Sequence, residues 1–190
     1  MEINSAPKRL NMNKIKNVTK IKDAISIYEE FNSSNYFREV CGMTVSDRAI
    51  SVQTLNNPSM VEFDFFKAME KVAFEGKNNL TMVHTHPDGV NGMSSIDFNM
   101  SCGWPIALGI PIRYAIVTSE YYIEYKLFRE NNKTLKPLLH KIPLSKMESI
   151  CEGHFITFCR MLYALSISNC NFIEDELIND FNFSYFGECV

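Results

Sequence analysis

The chain has 190 residues, 46% hydrophobic and 22% charged, with a formal net charge of −3. That balance belongs to one ordinary globular domain with its own core, and argues against disorder or a small disulfide-stapled scaffold. No apolar run reaches the roughly 18–20 residues that span a bilayer, and Met1 to Asn13 has no apolar signal segment, so a cytoplasmic protein is expected.

In chain order, Val18, Ile21, Ala24, Ile25 and Tyr28 recur at helical spacing, which predicts a helix over 18–31. Val40 to Val45 and Ile50 to Leu55 read as two strands joined by a turn at Ser46-Asp47-Arg48. Phe63 to Phe74 fits an amphipathic helix, with Gly76 suited to a left-handed C-cap. Leu80 to His84 is a short apolar strand that feeds a Pro/Gly loop from Pro87 to Gly92. Ser94 then opens a helix running to Leu108. Arg113 to Thr118 and Tyr121 to Phe128 form a strand pair, and Met147 to Ile167 is helical by its apolar spacing. The order predicts a single α/β domain, divided as a basic N-terminal extension with a helix (1–35), a core (36–130) and a helical C-terminal extension packed on it (131–190).

Charge is uneven along this chain. Residues 1–22 carry six Lys and Arg against Glu2 alone, whereas residues 171–190 carry five acidic residues and no basic one. The basic stretch lacks aromatic residues, so it reads as a solvated tail and helix face rather than as a nucleic-acid arm. The six cysteines, at 41, 102, 151, 159, 170 and 189, include no C-x-x-C pair. They read as reduced thiols, neither a zinc cluster nor a disulfide framework.

Chemistry concentrates in one segment. His84-Thr85-His86-Pro87 ends the short strand, and Asp97 follows eleven residues after His86. Side chains alternate along a strand, so His84 and His86 point to the same side. Asp97, on the first turn of the next helix, can return across the loop to meet them. Two neutral imidazoles and a carboxylate make the ligand set of a catalytic zinc that keeps a fourth position for water. Such a site also needs a general base and a donor for a developing oxyanion. Ser94, three residues before Asp97, is either that donor or a plain N-cap. Glu39, at the start of the first strand, is the best-placed base, with Glu62, Glu70 and Glu75 as competitors on or beside a helix.

Glu39, His84-Thr85-His86-Pro87, Ser94 and Asp97 together resemble the E…H-[ST]-H-P-x6-S-x-x-D signature of the JAMM (MPN+, JAB) metallopeptidases. The similarity runs from about Tyr36 to Phe128. It includes an E-x-C-G strand (Glu39 to Gly42), the pair Asn57-Pro58 and the strand Pro111 to Val117. Met93 stands where members of the family commonly have Pro, and the run from Asp97 to Ile112 is short. The resemblance implies a cytidine-deaminase-like fold, a curved mixed sheet flanked by helices. It implies zinc on His84, His86 and Asp97, water activation by Glu39 and oxyanion stabilisation by Ser94. The implied substrate is the C-terminal tail of ubiquitin or a ubiquitin-like modifier, laid beside the strand near Thr85, with Gly89 and Gly92 letting the adjacent loop shift. Two other readings stay open: a non-catalytic MPN-type scaffold, and an effector, toxin or phage-tail peptidase with another substrate. A deaminase would require a Pro-Cys-x-x-Cys ligand pair, which the chain lacks.

Overall fold

The computed structural model describes residues 37–45, 48–75, 80–108, 112–130, 134–144, 146 and 154–167. The expected helix over 18–31, the turn at Ser46-Asp47, Gly76, residues 147–153 and both charged termini lie outside them. Within the described residues the elements run β1 (Cys41–Val45), β2 (Arg48–Gln53), α1 (Phe65–Glu75), β3 (Leu80–Thr85), α2 (Ser95–Leu108), β4 (Ile112–Val117), β5 (Tyr121–Glu130), β6 (Thr134–Pro143) and α3 (His154–Ser166). No described helix is long and apolar enough to cross a membrane.

The six strands form one mixed sheet in the order β2-β1-β3-β4-β5-β6. Every neighbouring pair is antiparallel except β3 and β4. A parallel pair needs a crossover, and α2 supplies it. Alternation along the central strands sends side chains to two different layers. On one face Val40, Val83, Ala115 and Val117 pack with Phe158, Leu162 and Leu165 of α3. On the other, Met43, Leu80, Met82 and Tyr114 pack with Ala68 and Val72 of α1. All six residues of β3 are buried, as expected for a strand covered on both faces. His84 shares the parity of Leu80 and Met82, so it lies on the face that carries α1.

Strand β6 occupies the first part of the expected helical extension, ahead of the helix expected over Met147 to Ile167. Its sequence, TLKPLLHKIP, holds two prolines, which argue against a strand inside a sheet. The strand lies at the sheet's edge, however, where proline is tolerated because one row of backbone groups needs no partner. Its backbone pairs with β5 from Tyr121↔Pro143 to Glu130↔Thr134. Thus β6 extends the sheet itself, and α3 shares an apolar cluster with β2, β3, β4 and β5.

Helix α3 sits so close to β1 that there is room for only a hydrogen at Gly42. A Cβ there would collide with the Phe158 ring and lie 3.1 Å from Leu162 Cδ1, and both side chains are fully buried. Valine has the better strand propensity, yet Gly42→Val is expected to destabilise the fold by about 1–3 kcal/mol through overpacking. Chemical denaturation reads this directly, and an unchanged or raised midpoint would refute the close packing.

Candidate metal centre

Strand β3 ends at Thr85, and the site forms just beyond its carboxyl end, where the chain crosses over through α2. That position is the usual ligand crevice of α/β sheets. Thr85 locks the strand end to β1, its N–H donating to the Val40 carbonyl and its hydroxyl accepting from the Val40 N–H, both at 3.0 Å. The His86 N–H donates across to the Val117 carbonyl on the other side. His84 and His86 therefore project from a backbone pinned on both flanks, and both are buried.

Asp97 arrives from α2 by a reciprocal cap. Its backbone N–H donates to Ser94 Oγ at 3.1 Å, and the Ser94 N–H donates to Asp97 Oδ2 at 2.9 Å. This is the capping-box arrangement with Asp in the place of Glu or Gln. The cap turns the carboxylate towards the histidines. Asp97 Oδ1 stands 3.2 Å from His84 Nε2 and Oδ2 stands 3.6 Å from His86 Nε2, while the two Nε2 atoms are 3.0 Å apart.

These separations suit a shared cation. Zinc–ligand bonds of 2.0–2.1 Å in a tetrahedron give ligand–ligand edges of about 3.3–3.4 Å. His86 Nδ1 donates to the Val90 carbonyl at 3.1 Å, which fixes the tautomer and leaves a lone pair on Nε2. That carbonyl is aimed by a tight turn. Gly89 takes a φ of +79°, its N–H donates to the His86 carbonyl, and Asp88 Oδ1 accepts from the Val90 N–H. Gly89 thus builds a defined turn rather than a loose hinge. His84, His86 and Asp97 form the described group with metal-ligating geometry.

The electrostatics follow from burial. Burial lowers the pKa of His84, against its hydrogen bond to Asp97, which favours the neutral imidazole that a metal requires. Burial pulls His86 down too, but bonds to Asp97 and the Val90 carbonyl outweigh it and the net shift is upward. For Asp97, burial is overcome by the two imidazoles and Ser94, and its carboxyl is held far below the usual range. Burial also keeps the Tyr114 phenol protonated.

Glu39 joins this group without belonging to the ligand set. Its Oε1 is 3.9 Å from His86 Nε2. Burial pushes its carboxyl up to about 7, opposed by His86 and reinforced by Asp97 and Asp88. Its backbone is clamped, with the N–H donating to the Asn57 carbonyl at 2.7 Å and the carbonyl accepting from Thr54 Oγ1 at 2.7 Å. Among the competing carboxylates, Glu62 reaches the cleft lining, whereas Glu70 lies exposed on α1 and the Glu75 side chain lies outside the described residues.

Sequence reasoning missed Arg38, which no motif marks. It is buried, with its Nε donating to the Leu165 carbonyl and its Nη1 to Asn56 Oδ1. Among the described residues, Cys41, Cys102 and Cys159 form no disulfide. Cys41 lies next to the site, and its thiol donates to the Glu62 carbonyl at 3.1 Å.

The metal-ligating group forms the floor of a cleft of roughly 610 Å³, between the chain preceding α1 and the first turns of α2. Ser94 lines this cleft with an exposed side chain. Its oxygen accepts the capping bond, and its hydroxyl hydrogen stays available to donate. The chain matches no protein-family model, no curated protein and no solved structure.

Proposed function

We propose that this protein is a zinc-dependent hydrolase of JAMM (JAB, MPN+) type that cleaves a peptide or isopeptide bond. The expected substrate is the C-terminal tail of ubiquitin or a ubiquitin-like modifier. One observation carries this reading. Two imidazoles and a carboxylate converge at tetrahedral spacing, with a second carboxylate beside them, on the floor of a cleft of roughly 610 Å³. The sheet order, with its single parallel pair and flanking helices, is compatible with the JAB fold that the motif implies.

His84, His86 and Asp97 would hold a zinc ion, which would supply Lewis acidity and make the attacking water more acidic. The rest falls to the chain's own groups. Glu39 takes the proton from the attacking water and returns it to the departing amine nitrogen, so the amide is exchanged for an acid and an amine. Ser94 Oγ–H donates to the carbonyl oxygen as negative charge develops there. The Val90 carbonyl keeps His86 in the tautomer that leaves Nε2 free. Cys41, engaged with the Glu62 carbonyl, has no step to perform.

The metal is tested first. The purified protein is expected to bind about one zinc per chain, measured by competition with a chromophoric chelator. His84→Ala combined with His86→Ala should abolish that binding. Stoichiometric zinc on the double variant, or none on the wild type, sinks the assignment.

Roles inside the site separate by pairing variants. Glu39→Gln is expected to keep zinc while turnover of a modifier fusion falls about 10²–10⁴-fold. Ser94→Ala should lower stability by about 0.5–2 kcal/mol as a lost cap and turnover by about 10²–10³-fold as a lost oxyanion donor. If Ser94→Ala costs stability alone, Ser94 is a cap only. Wild-type turnover by Glu39→Gln passes the base to Glu62.

A further inference from the structure

Two adjacent residues at the end of β4 hold the loop that follows His86. The Val117 carbonyl accepts from the His86 N–H at 2.9 Å, and the Thr118 hydroxyl donates to Asn91 Oδ1 at 3.0 Å. The first bond fixes the root of the loop and the second fixes its far end. Thr118 is fully buried, and β4 pairs with β3 on one side and β5 on the other. Both bonds are therefore made to a rigid frame.

The turn after β4 decides where the Thr118 hydroxyl points. Its oxygen accepts from the Glu120 N–H at 3.2 Å and from the Tyr121 N–H at 3.0 Å, which occupies both lone pairs. The hydrogen is left to donate. The Tyr121 carbonyl stands 3.4 Å away and already accepts from the Thr118 N–H at 2.9 Å. The nearer Asn91 Oδ1 is the better acceptor, so the amide oxygen, and not its nitrogen, faces Thr118.

This hook aims the Val90 carbonyl. That carbonyl belongs to the planar peptide unit joining Val90 to Asn91, so anchoring both residues fixes its direction. Asp88 Oδ1 holds Val90 by its N–H, and Thr118 holds Asn91 by its side chain. Between them the carbonyl accepts from His86 Nδ1 at 3.1 Å, the bond that leaves Nε2 free to ligate. Asn91 itself is exposed and adds little to the core, so the consequence of its bond falls on the loop.

We propose that Asn91 is a positioning residue for the metal: hooked to Thr118, it holds the Val90 carbonyl on His86 and so sets zinc affinity. This rests on the metal reading of His84, His86 and Asp97, and it holds for any substrate. A group bonded directly to a ligating histidine typically contributes about 10–100-fold in metal affinity. Asn91 acts one bond further out, so its loss should cost about tenfold, the lower end of that range.

Zinc affinity of the full-length chain, read by competition with a chromophoric chelator, provides the test without any substrate. Asn91→Ala should weaken zinc binding about tenfold, while the denaturation midpoint of the metal-free protein stays at the wild-type value. Thr118→Val removes the hydroxyl at nearly constant shape and should weaken zinc equally. Its midpoint should also fall, because the Glu120 and Tyr121 N–H groups lose their acceptor. Thr118→Ser keeps the hydroxyl and should keep wild-type affinity. Combining Asn91→Ala with Thr118→Val should weaken zinc no further than either change alone, because both remove one bond. Unchanged affinity in Asn91→Ala, or additive losses in the double variant, overturns the proposal and leaves the metal reading standing. Parallel loss of stability and zinc in Asn91→Ala also overturns it, since the bond then holds the fold and not the ligand. A wild type that takes up no zinc overturns the metal reading and the proposal together.

Discussion

The carboxylate of Asp97 answers two demands at once. Helix α2 begins with orphan N–H groups, and the Ser94–Asp97 exchange satisfies two of them. The same carboxylate faces two imidazoles that arrive on a different element. A side chain fixed by its own helix cap loses little freedom when a ligand engages it, so the metal-ligating geometry is set before any ion arrives. The helix N-terminus also favours the negative charge that a divalent cation needs. Cap, dipole and ligand therefore act in the same direction.

The histidines and Glu39 depend on a second constraint, the seam between β1 and β3. Thr85 bonds Val40 through both its backbone and its hydroxyl, which holds the position after Glu39 against the position between the two histidines. Arg38 clamps the other side of Glu39. Its backbone N–H donates to the Ser166 carbonyl, and its guanidinium spans the Leu165 carbonyl and Asn56. A buried guanidinium is costly unless its donors find acceptors, and here Nε and Nη1 find them at the end of α3 and in the turn after β2. Gly42 lets α3 approach closely enough for this. Glu39 is thus positioned from the opposite face of the sheet.

What could be read from the sequence was local. Period-two alternation around His84 and His86, and the spacing of Ser94 from Asp97, are short-range facts, and the structure brings these side chains to one point. The core strands were likewise legible, because burial on both faces demands near-continuous apolar runs. Strand β6 was not legible, since its prolines speak against a strand until its edge position is known. Arg38 and Gly42 were equally opaque. Their reasons lie on α3, more than a hundred residues further along the chain, and no local pattern announces such a partner. Ser94 was readable as either a cap or a donor, and its geometry serves the first role while leaving a hydrogen for the second.

Phe63, Phe65, Met93 and Trp104 are core residues only in part. They pack against the α1 face and still line the cleft. This double placement ties the packing of the α1 side to the electrostatics of the cleft floor. Apolar walls exclude water, and every charge on the floor then interacts more strongly than it would in bulk solvent. Burial is the largest cause of the upward shift at Glu39 and of the downward shift at His84. Polar replacement in the deep part of the wall would therefore alter both of those environments, along with the shape of the pocket. Replacement at the exposed mouth would change the pocket alone.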